Sequence, residues 1–272
     1  MRRLAPAKLN LFLHVTGRRP DGFHDLETVF QLIDLHDELD IEPREDGRIV
    51  RDPPPSDPML ASLADEDDLT VRAARLLQSA SGTPLGASIH VTKRIPAGGG
   101  LGGGSSDAAT VLLALNEVWS LHWPKEKLAQ LGLALGSDVP VFVKGESAFA
   151  RGRGEELTPI DLPASWFLVV HPGVSVSTRE VFSAPELTRD TEPLRIAALP
   201  SDGGRNDCEP VVRRRYPAVA EALQRLAAHG ARLTGTGACV FVSNPDPEAL
   251  QAVARTLPRQ WTSFIVRGLA RV

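Results

Sequence analysis

A glycine-rich stretch from Ile95 to Ala109, IPAGGGLGGGSSDAA, places six glycines within seven positions. Ordering a glycine in a regular element costs roughly 0.5 to 1 kcal/mol more than ordering alanine, so an ordered run needs a function that compensates. The run lies between a strand candidate, Ala87 to Lys93, and a helix candidate that starts near Ser105. Backbone N–H groups ahead of a helix bind anions, and the helix dipole adds positive potential there. The stretch therefore indicates a phosphate-binding loop.

Two familiar phosphate motifs fit this loop poorly. Gly98, Gly100 and Gly103 match the letters GxGxxG, but in so glycine-rich a run that match carries little weight. A dinucleotide fingerprint also joins its strand and helix through a short turn, whereas residues 94–104 make a long arch. A P-loop requires a lysine directly after its last glycine, and no lysine follows any glycine of this run.

Two charged residues outside the loop could serve phosphoryl transfer, which requires positioning, charge neutralisation and the handling of one proton. Asp138 lies in the polar turn GSDVP, and Lys8 lies on the polar face of the first strand candidate, two residues before Asn10. Aspartate in such a turn is commonly a cap or turn residue, and a lysine on a polar face is commonly exposed. Spacing alone therefore favours structural roles for both.

The pattern Pro96-x-x-x-Gly100-Leu101-Gly102-x-x-Ser-Ser-x-Ala-Ala closely resembles the phosphate loop of the GHMP superfamily, named for galactokinase, homoserine, mevalonate and phosphomevalonate kinases. Two further stretches occur in the expected chain order, PAKLNL at 6–11 and LTGTGAC at 233–239. Within the superfamily the sequence is most similar to the kinases of a cytidine-diphosphate conjugate of methylerythritol. That similarity rests on RRPDGFHDLETVF (18–30), LGSDVPVF (135–142), RGRGEEL (151–157) and NDCEPVV (206–212).

This resemblance implies transfer of the ATP γ-phosphoryl group to the 2-hydroxyl of the methylerythritol moiety, in the mevalonate-independent isoprenoid pathway. It implies ATP and Mg²⁺ as cofactors, Asp138 as the catalytic base and Lys8 as its partner near the acceptor hydroxyl. The metal ligands stay unassigned: Ser106 is a candidate, and N-capping of the helix explains its position equally well. The residues that would bind the ATP phosphates are Pro96, Ala97, Gly98, Gly99, Gly100, Leu101, Gly102, Gly103, Gly104, Ser105 and Ser106.

The resemblance also implies a binding site for the cytidine end of the substrate. Phe23 would stack on the base, His24 would meet its hydrogen-bonding edge, and Phe182 would cover the other face, with Asn10 as a further substrate contact. Position 23 is commonly tyrosine in that family. Phenylalanine keeps the stacking surface and loses a hydroxyl, which puts the selectivity for the base in question.

Composition narrows the class of protein. The 272 residues carry a formal net charge of −4, a pI near 6.0 and 42% hydrophobic residues, as in an ordinary soluble domain. This charge favours small-molecule substrates over nucleic acid or an anionic membrane. Cys208 and Cys239 lack the spacing of a zinc site or a disulfide framework. We expect a cytoplasmic enzyme that is a monomer or a homodimer.

Hydrophobic periodicity predicts the elements that position these residues. It predicts a strand over Lys8 to Val15 with one face in the core, and strands between Leu26 and Ile41. It predicts helices over Leu69 to Ala80, capped by Asp68, and over Lys125 to Leu135. A loop from Asp52 to Asp68 precedes the first of these helices.

The expected fold is α+β, with two domains and the substrates between them. The resemblance implies that residues 1–150 form a ribosomal protein S5 domain 2-like domain with the phosphate loop. Residues 151–272 would form a ferredoxin-like domain that completes the cleft. Two alternatives remain open: another GHMP-type small-molecule kinase, and a nucleotide-binding module without catalysis. Lys8 and Asp138 argue against the second, because a module that only binds needs neither.

Overall fold

The computed structural model describes residues 1–51, 64–194 and 203–272. This part of the chain divides into two compact units, each assembled from several segments. The first unit comprises Met1–Ala7, His36–Ile95 and Gly102–Gly145, and the second comprises Lys8–Leu35, Pro96–Leu101 and Glu146–Val272. Most of the expected loop at 52–68 lies outside the described residues. The division at residue 150 stays a prediction.

Two long strands open the chain, β1 (Arg2–Arg18) and β2 (His24–Arg44), and they pair with each other. Each contributes residues to both units. In the first unit, β4 (Gly86–Thr92) runs antiparallel to β2 in the register Glu38 with Thr92, and β3 (Ile49–Arg51) runs parallel to β4. The helices of this unit are α1 (Leu69–Ser81), α2 (Gly103–Val118), α3 (Lys125–Gly132) and α4 (Val139–Lys144).

Helix α1 forms where its capping residues predict it. The Asp68 carboxylate accepts hydrogen bonds from the backbone N–H groups of Thr70 and Val71, and the helix ends at Gly82, whose φ is +70°. The prediction for this helix is confirmed. Helix α3 starts at Lys125 as predicted but ends at Gly132, so its extension to Leu135 is wrong: Leu135 N–H bonds the Gly132 carbonyl in a tight turn instead.

The second unit is built on an antiparallel sheet in the order β2-β10-β7-β9-β8. The β7–β10 ladder runs from Trp166 paired with Arg267 to His171 paired with Thr262. The strands of this unit are β5 (Ala148–Arg151), β6 (Glu156–Pro159), β7 (Trp166–His171), β8 (Arg232–Leu233), β9 (Val240–Asn244) and β10 (Thr262–Leu269). Its helices are α5 (Thr178–Ser183), α6 (Glu209–Arg215), α7 (Pro217–Arg225) and α8 (Pro247–Ala254).

The core of the second unit joins β1, β7 and β9 to the helices around them, and it includes Val15, Leu168, Val212, Leu223 and Val240. Every residue of β1 from Lys8 to Val15 is buried, so both faces of the strand are covered and the expectation of a single core face is wrong. The polar face is covered because Phe12 packs on Phe149, with ring centroids 6.4 Å apart, and because loops of the same unit meet Lys8 and Asn10. Among the described residues, no helix is long and apolar enough to cross a membrane.

Candidate active site

The first half of the glycine loop, 96–101, lies in the second unit and packs on a second glycine turn, the LTGTGAC stretch at 233–239. The carbonyls of Gly98 and Gly99 accept hydrogen bonds of 3.0 Å from the backbone N–H groups of Ala238 and Cys239. Gly98 and Gly100 have φ values of +65° and +75°, which other residues rarely adopt. Two turns that are separate in sequence thus form one backbone surface.

Three positions of the loop require glycine for a packing reason that the sequence did not reveal, because a Cβ there would not fit. A Cβ at Gly100 would lie 2.4 Å from the Thr234 carbonyl oxygen, and one at Gly99 would lie 2.8 Å from Cys239 Sγ. A Cβ at Gly98 would lie 2.8 Å from Ser175 Cβ. These three glycines therefore allow the loop to approach the second turn, in addition to the anion-binding role that the sequence suggests.

Lys8 and Asn10 are fixed to this loop. Lys8 N–H bonds the Leu101 carbonyl at 3.0 Å, and Lys8 Nζ donates to the Gly100 carbonyl at 3.0 Å and to Asn10 Oδ1 at 2.5 Å. The Asn10 amide in turn donates to Thr28 Oγ1 at 2.9 Å. Lys8 and Asn10 are each 3% exposed, which excludes the interpretation of Lys8 as a surface lysine. An ammonium group is thus held beside the loop by oriented oxygen atoms.

The second half of the loop, from Gly102 to Ser106, lies in the first unit and runs into α2. The helix begins at Gly103 with Gly102 as its N-cap, at a φ of +74° and without a side-chain cap. Ser106 does not cap this helix, because the helix begins at Gly103, two residues before the start near Ser105 that the sequence suggested. Ser105 is half-buried, and Ser106 is fully buried with an Oγ that bonds none of the described residues.

Asp138 stands at the N-terminus of α4, and its side chain makes no cap hydrogen bond to that helix. The capping role that spacing favours is therefore not the one it has. In the same unit, a Cβ at Gly136 would lie 3.5 Å from Ser105 Oγ, so the turn that carries Asp138 lies beside the first turn of α2. Asp138 itself is half-buried.

A buried charge cluster supports α2 from within the first unit. Lys93 Nζ donates to Asp107 Oδ2 at 2.7 Å and to Asp37 Oδ2, while Asp37 Oδ1 accepts the N–H groups of Arg94 and Ile95. Burial raises the pKa of Asp107 to about 7; Lys93 opposes this rise and Asp37 adds to it. Burial alone would lower the pKa of Lys93, but the two carboxylates outweigh it and raise that pKa.

Asp107→Asn is expected to stabilise the protein above neutral pH. Because the pKa of Asp107 is higher in the folded chain than in the unfolded chain, its ionisation destabilises the fold increasingly as pH rises from about 4 to about 7. The asparagine side chain does not ionise, so the variant avoids this destabilisation. Its free energy of unfolding should exceed that of the native protein by on the order of 2 kcal/mol at pH 8, and by much less at pH 4.5.

Urea titrations in metal-free buffer at the two pH values measure this difference. Asp161→Asn, a substitution of an exposed aspartate, is the control and should show no such pH-dependent gain. A gain that is equal at both pH values would contradict the assigned origin of the effect.

The three residues expected at the cytidine end all lie in the second unit. His24 and Phe182 stack on each other, with ring centroids 5.2 Å apart and an interplanar angle of 27°. Phe23 is 48% exposed, and the Arg153 guanidinium lies 3.7 Å above its ring. Two ring faces are thereby occupied: one face of Phe182 stacks on His24, and the Arg153 guanidinium covers one face of Phe23.

Arg189 holds His24 in place: its Nε–H donates to His24 Nε2 at 3.0 Å. Burial, followed by the positive charges of Arg189 and Arg18, lowers the pKa of His24, and the carboxylate of Asp25 opposes this shift. Neither Arg189 nor the cluster of Lys93 and Asp37 was recognised in the sequence. Their partners are 56 to 165 positions away in the chain, and no local pattern connects residues at such separations.

Two family models match the chain, the GHMP kinases N terminal domain over residues 68–146 and the GHMP kinases C terminal domain over 186–263. A relative from Halorhodospira halophila, named 4-diphosphocytidyl-2-C-methyl-D-erythritol kinase, is 56% identical over 98% of this chain and 92% of its own. One of the same name from Ectopseudomonas mendocina is 54% identical over 97% and 89%. The chain belongs to this kinase family.

Solved structures agree with this family, and a more distant kinase has the same fold. A 4-(cytidine 5'-diphospho)-2C-methyl-D-erythritol kinase is 35% identical, with a TM-score of 0.83 over 98% of this chain and 99% of the other. The mevalonate kinase of Methanococcus jannaschii shares the fold at 14% identity, with a TM-score of 0.70 over 99% and 98%. The predicted α+β GHMP kinase fold is confirmed.

Proposed function

We propose that this chain transfers the γ-phosphoryl group of ATP to the 2-hydroxyl of 4-diphosphocytidyl-2-C-methyl-D-erythritol, as a step of the mevalonate-independent isoprenoid pathway. The observation that carries this proposal is the buried Lys8 ammonium, bonded to the glycine loop, in a chain more than half identical to kinases named for that substrate. We place the reaction in the cytoplasm, with a small-molecule substrate and a monomer or homodimer as the active form.

The glycine loop would receive the ATP phosphates. Residues 96–101 present backbone in a form fixed by the second glycine turn, and the N-terminus of α2 follows directly, where unpaired N–H groups and the helix dipole favour anions. The buried Ser106 hydroxyl, which bonds none of the described residues, would add a polar group at that end for the phosphates or their metal ion. Preorganised donors of this kind neutralise phosphoryl oxygens without rearranging during the reaction.

Buried oxygen atoms at the start of α2 fit a magnesium ion. Among the described residues no group of three or more His, Cys, Asp or Glu side chains forms a ready metal site. Mg²⁺ needs no such cage, because it commonly binds through phosphate oxygens, water and one or two protein oxygens. Ser106 Oγ and Asp107 Oδ1 are buried oxygens without a bond to any described residue, and Ser106 would hold the ion. Magnesium would supply charge neutralisation on the phosphates.

Asp138 would accept the proton of the acceptor hydroxyl. Its carboxylate is half-buried and is not used to cap α4, although it stands at the N-terminus of that helix. A carboxylate that takes the proton as the O–P bond forms avoids the release of a free alkoxide. The electron pair of the broken O–H bond stays with the acceptor oxygen as that oxygen bonds the γ-phosphorus, and ADP leaves with the electrons of the bond between the γ-phosphorus and the bridging oxygen.

Lys8 would favour negative charge on the reacting oxygens. Its ammonium group donates to two neutral acceptors, the Asn10 amide oxygen and the Gly100 carbonyl, and these bonds hold the charge in place. In a site of low effective dielectric a fixed cation acts more strongly than in water.

Lys8→Met is expected to lower kcat by about 10²- to 10³-fold with a small change in the KM for ATP, since the variant keeps the length of the side chain and loses its charge. Steady-state kinetics measure both constants. Lys125→Met, which removes an exposed lysine of α3, is the matched control and should leave kcat unchanged. An unchanged kcat in Lys8→Met would remove Lys8 from the mechanism.

The proposed function is tested by ADP release from MgATP with the cytidine-diphosphate methylerythritol conjugate as acceptor, and with mevalonate and homoserine as controls. Turnover with the conjugate alone is the expected result. Turnover with mevalonate or homoserine instead would assign the chain to another GHMP-type activity. ATP binding without turnover on any of the acceptors would contradict the kinase proposal.

A further inference from the structure

Arg189 is surrounded by neutral hydrogen-bond acceptors. Its Nη1 donates to the Leu187 carbonyl at 2.9 Å, and its Nη2 donates to the carbonyls of Phe182 and Ala184 at 2.9 and 2.6 Å. The remaining bond of 3.0 Å runs from Nε to His24 Nε2. Three bonds to the backbone around the end of α5 thus fix the guanidinium, and through it the imidazole.

This bond determines the protonation state of His24. A guanidinium is always protonated and has no acceptor atom, so the His24 Nε2 that it meets must present a lone pair. The imidazole is therefore neutral, and its one proton is on Nδ1. The surrounding charges act in the same sense, because Arg189 and Arg18 disfavour a second proton and only Asp25 opposes them.

The other ring nitrogen is available to a ligand. No described residue forms a hydrogen bond with His24 Nδ1. That nitrogen is not fully buried, so solvent or a ligand can reach it. Stacking on Phe182 fixes the plane of the ring. The structure thus presents a single N–H donor in a fixed direction, on the residue that follows the half-exposed Phe23 in the chain.

A fixed donor distinguishes the two common pyrimidines. The ring N3 of cytosine is an acceptor, whereas the N3 of uracil carries a hydrogen and would face the donor with a second donor. Two opposed donors each lose a hydrogen bond, which discriminates against the wrong ligand by leaving polar groups unpaired. Histidine with its proton on Nε2 would reverse this preference.

We propose that Arg189 is a positioning residue that fixes His24 as an Nδ1–H donor and thereby selects cytosine over uracil in the nucleotide part of the substrate. This inference rests on the proposed function, in which His24 meets the base. It also answers the question that Phe23 raises. Selectivity for the base does not require a hydroxyl at position 23, because the donor is supplied by His24 and oriented by Arg189.

The first experiment measures the tautomer directly and does not depend on activity. Two-bond ¹⁵N–¹H correlation spectra of chain labelled with ¹⁵N-histidine, assigned with His24→Gln, distinguish the protonated from the unprotonated nitrogen. Native His24 should carry its proton on Nδ1 at pH 7, and Arg189→Met should shift the proton towards Nε2. An Nε2–H or doubly protonated His24 in the native chain would overturn the inference, whatever the variants do.

The second experiment measures selectivity as the ratio of the Kd for UDP to the Kd for CDP, by calorimetry with a non-hydrolysable ATP analogue at saturation. The native ratio should be about 10 to 100, and it should fall towards 1 in Arg189→Met. Arg189→Gln is a second variant in case methionine disturbs the fold. Its amide can still donate to the backbone carbonyls, but it can either donate to His24 Nε2 or accept from it, so it no longer imposes one tautomer. Arg215→Met, which removes the surface pair with Glu186 and a 3.5 Å bond to the Glu180 carbonyl but no contact with His24, is the control and should keep the native ratio.

The outcomes separate this inference from the proposed function. A native ratio near 1, or a high ratio that survives in both Arg189 variants, would overturn the role of Arg189 while turnover with the cytidine conjugate left the proposed function in place. Failure of CDP and UDP to bind, together with no turnover, would overturn both. Loss of selectivity in the Arg189 variants, together with an Nδ1–H tautomer of His24 in the native chain, supports the inference.

Discussion

Asp138→Asn is expected to lower kcat by about 10²- to 10⁴-fold while ATP binding and the fold are preserved. Asparagine has the shape of aspartate but cannot accept the proton of the acceptor hydroxyl. Because the native side chain does not cap α4, its replacement removes no hydrogen bond from that helix terminus. The loss should therefore appear in kcat, with the KM for ATP close to the native value.

Three measurements isolate this effect: steady-state kinetics, calorimetric titration with the non-hydrolysable ATP analogue, and urea unfolding. Asp161→Asn makes the same chemical change at an exposed position and should retain full activity. If Asp138→Asn turned over at the native rate, the kinase would need another proton acceptor, and Asp138 would be left as a turn residue. A drop in activity that matched a drop in stability would contradict a catalytic role in the same way.

Local patterns predicted those parts of the fold that local interactions determine. Helix α1 is an example, because the Asp68 cap, the apolar stripe and Gly82 at its end all lie between residues 68 and 82. The helix after the glycine loop was also predicted, but its start was misplaced towards Ser105. The serines offered a usual N-cap, whereas the structure uses Gly102 in a left-handed conformation and buries Ser106. Glycine is an accepted N-cap, but within a run of six glycines nothing in the sequence marks Gly102 as the cap.

The candidate site was predicted where the resemblance supplied motifs, and missed where contacts join distant segments. Lys8 is an intermediate case, because alternation placed it on a polar face and only the structure shows that this face is covered. Arg189 lies 165 positions from His24, and Asp37 lies 56 positions from Lys93. Neither arginine nor aspartate is unusual at such a position, so composition and periodicity give no reason to select them. They act by fixing other residues, which only three-dimensional contacts reveal.

Gly100→Ala is expected to disrupt the glycine loop through a backbone clash. The added Cβ would lie 2.4 Å from the Thr234 carbonyl oxygen and 3.0 Å from the Gly237 carbonyl oxygen. Both are backbone atoms, which cannot move aside as a flexible side chain would. The φ of +75° adds strain for any residue with a Cβ. We expect a loss of about 2 to 4 kcal/mol in the free energy of unfolding. We also expect kcat/KM for ATP to fall by at least about tenfold, because Lys8 Nζ bonds the carbonyl of the displaced residue.

Gly230→Ala separates the two causes of this loss. Gly230 has a φ of +71°, close to that of Gly100, but nothing lies within 4 Å of its Cβ position. Its variant therefore bears the backbone strain alone, about 1 to 2 kcal/mol, and should keep native kinetics. The excess loss in Gly100→Ala then measures the contact between the two glycine turns. Equal losses in the two variants, with native kinetics in both, would mean that the loop tolerates the added methyl group. The close approach of the turns would then have no part in positioning Lys8.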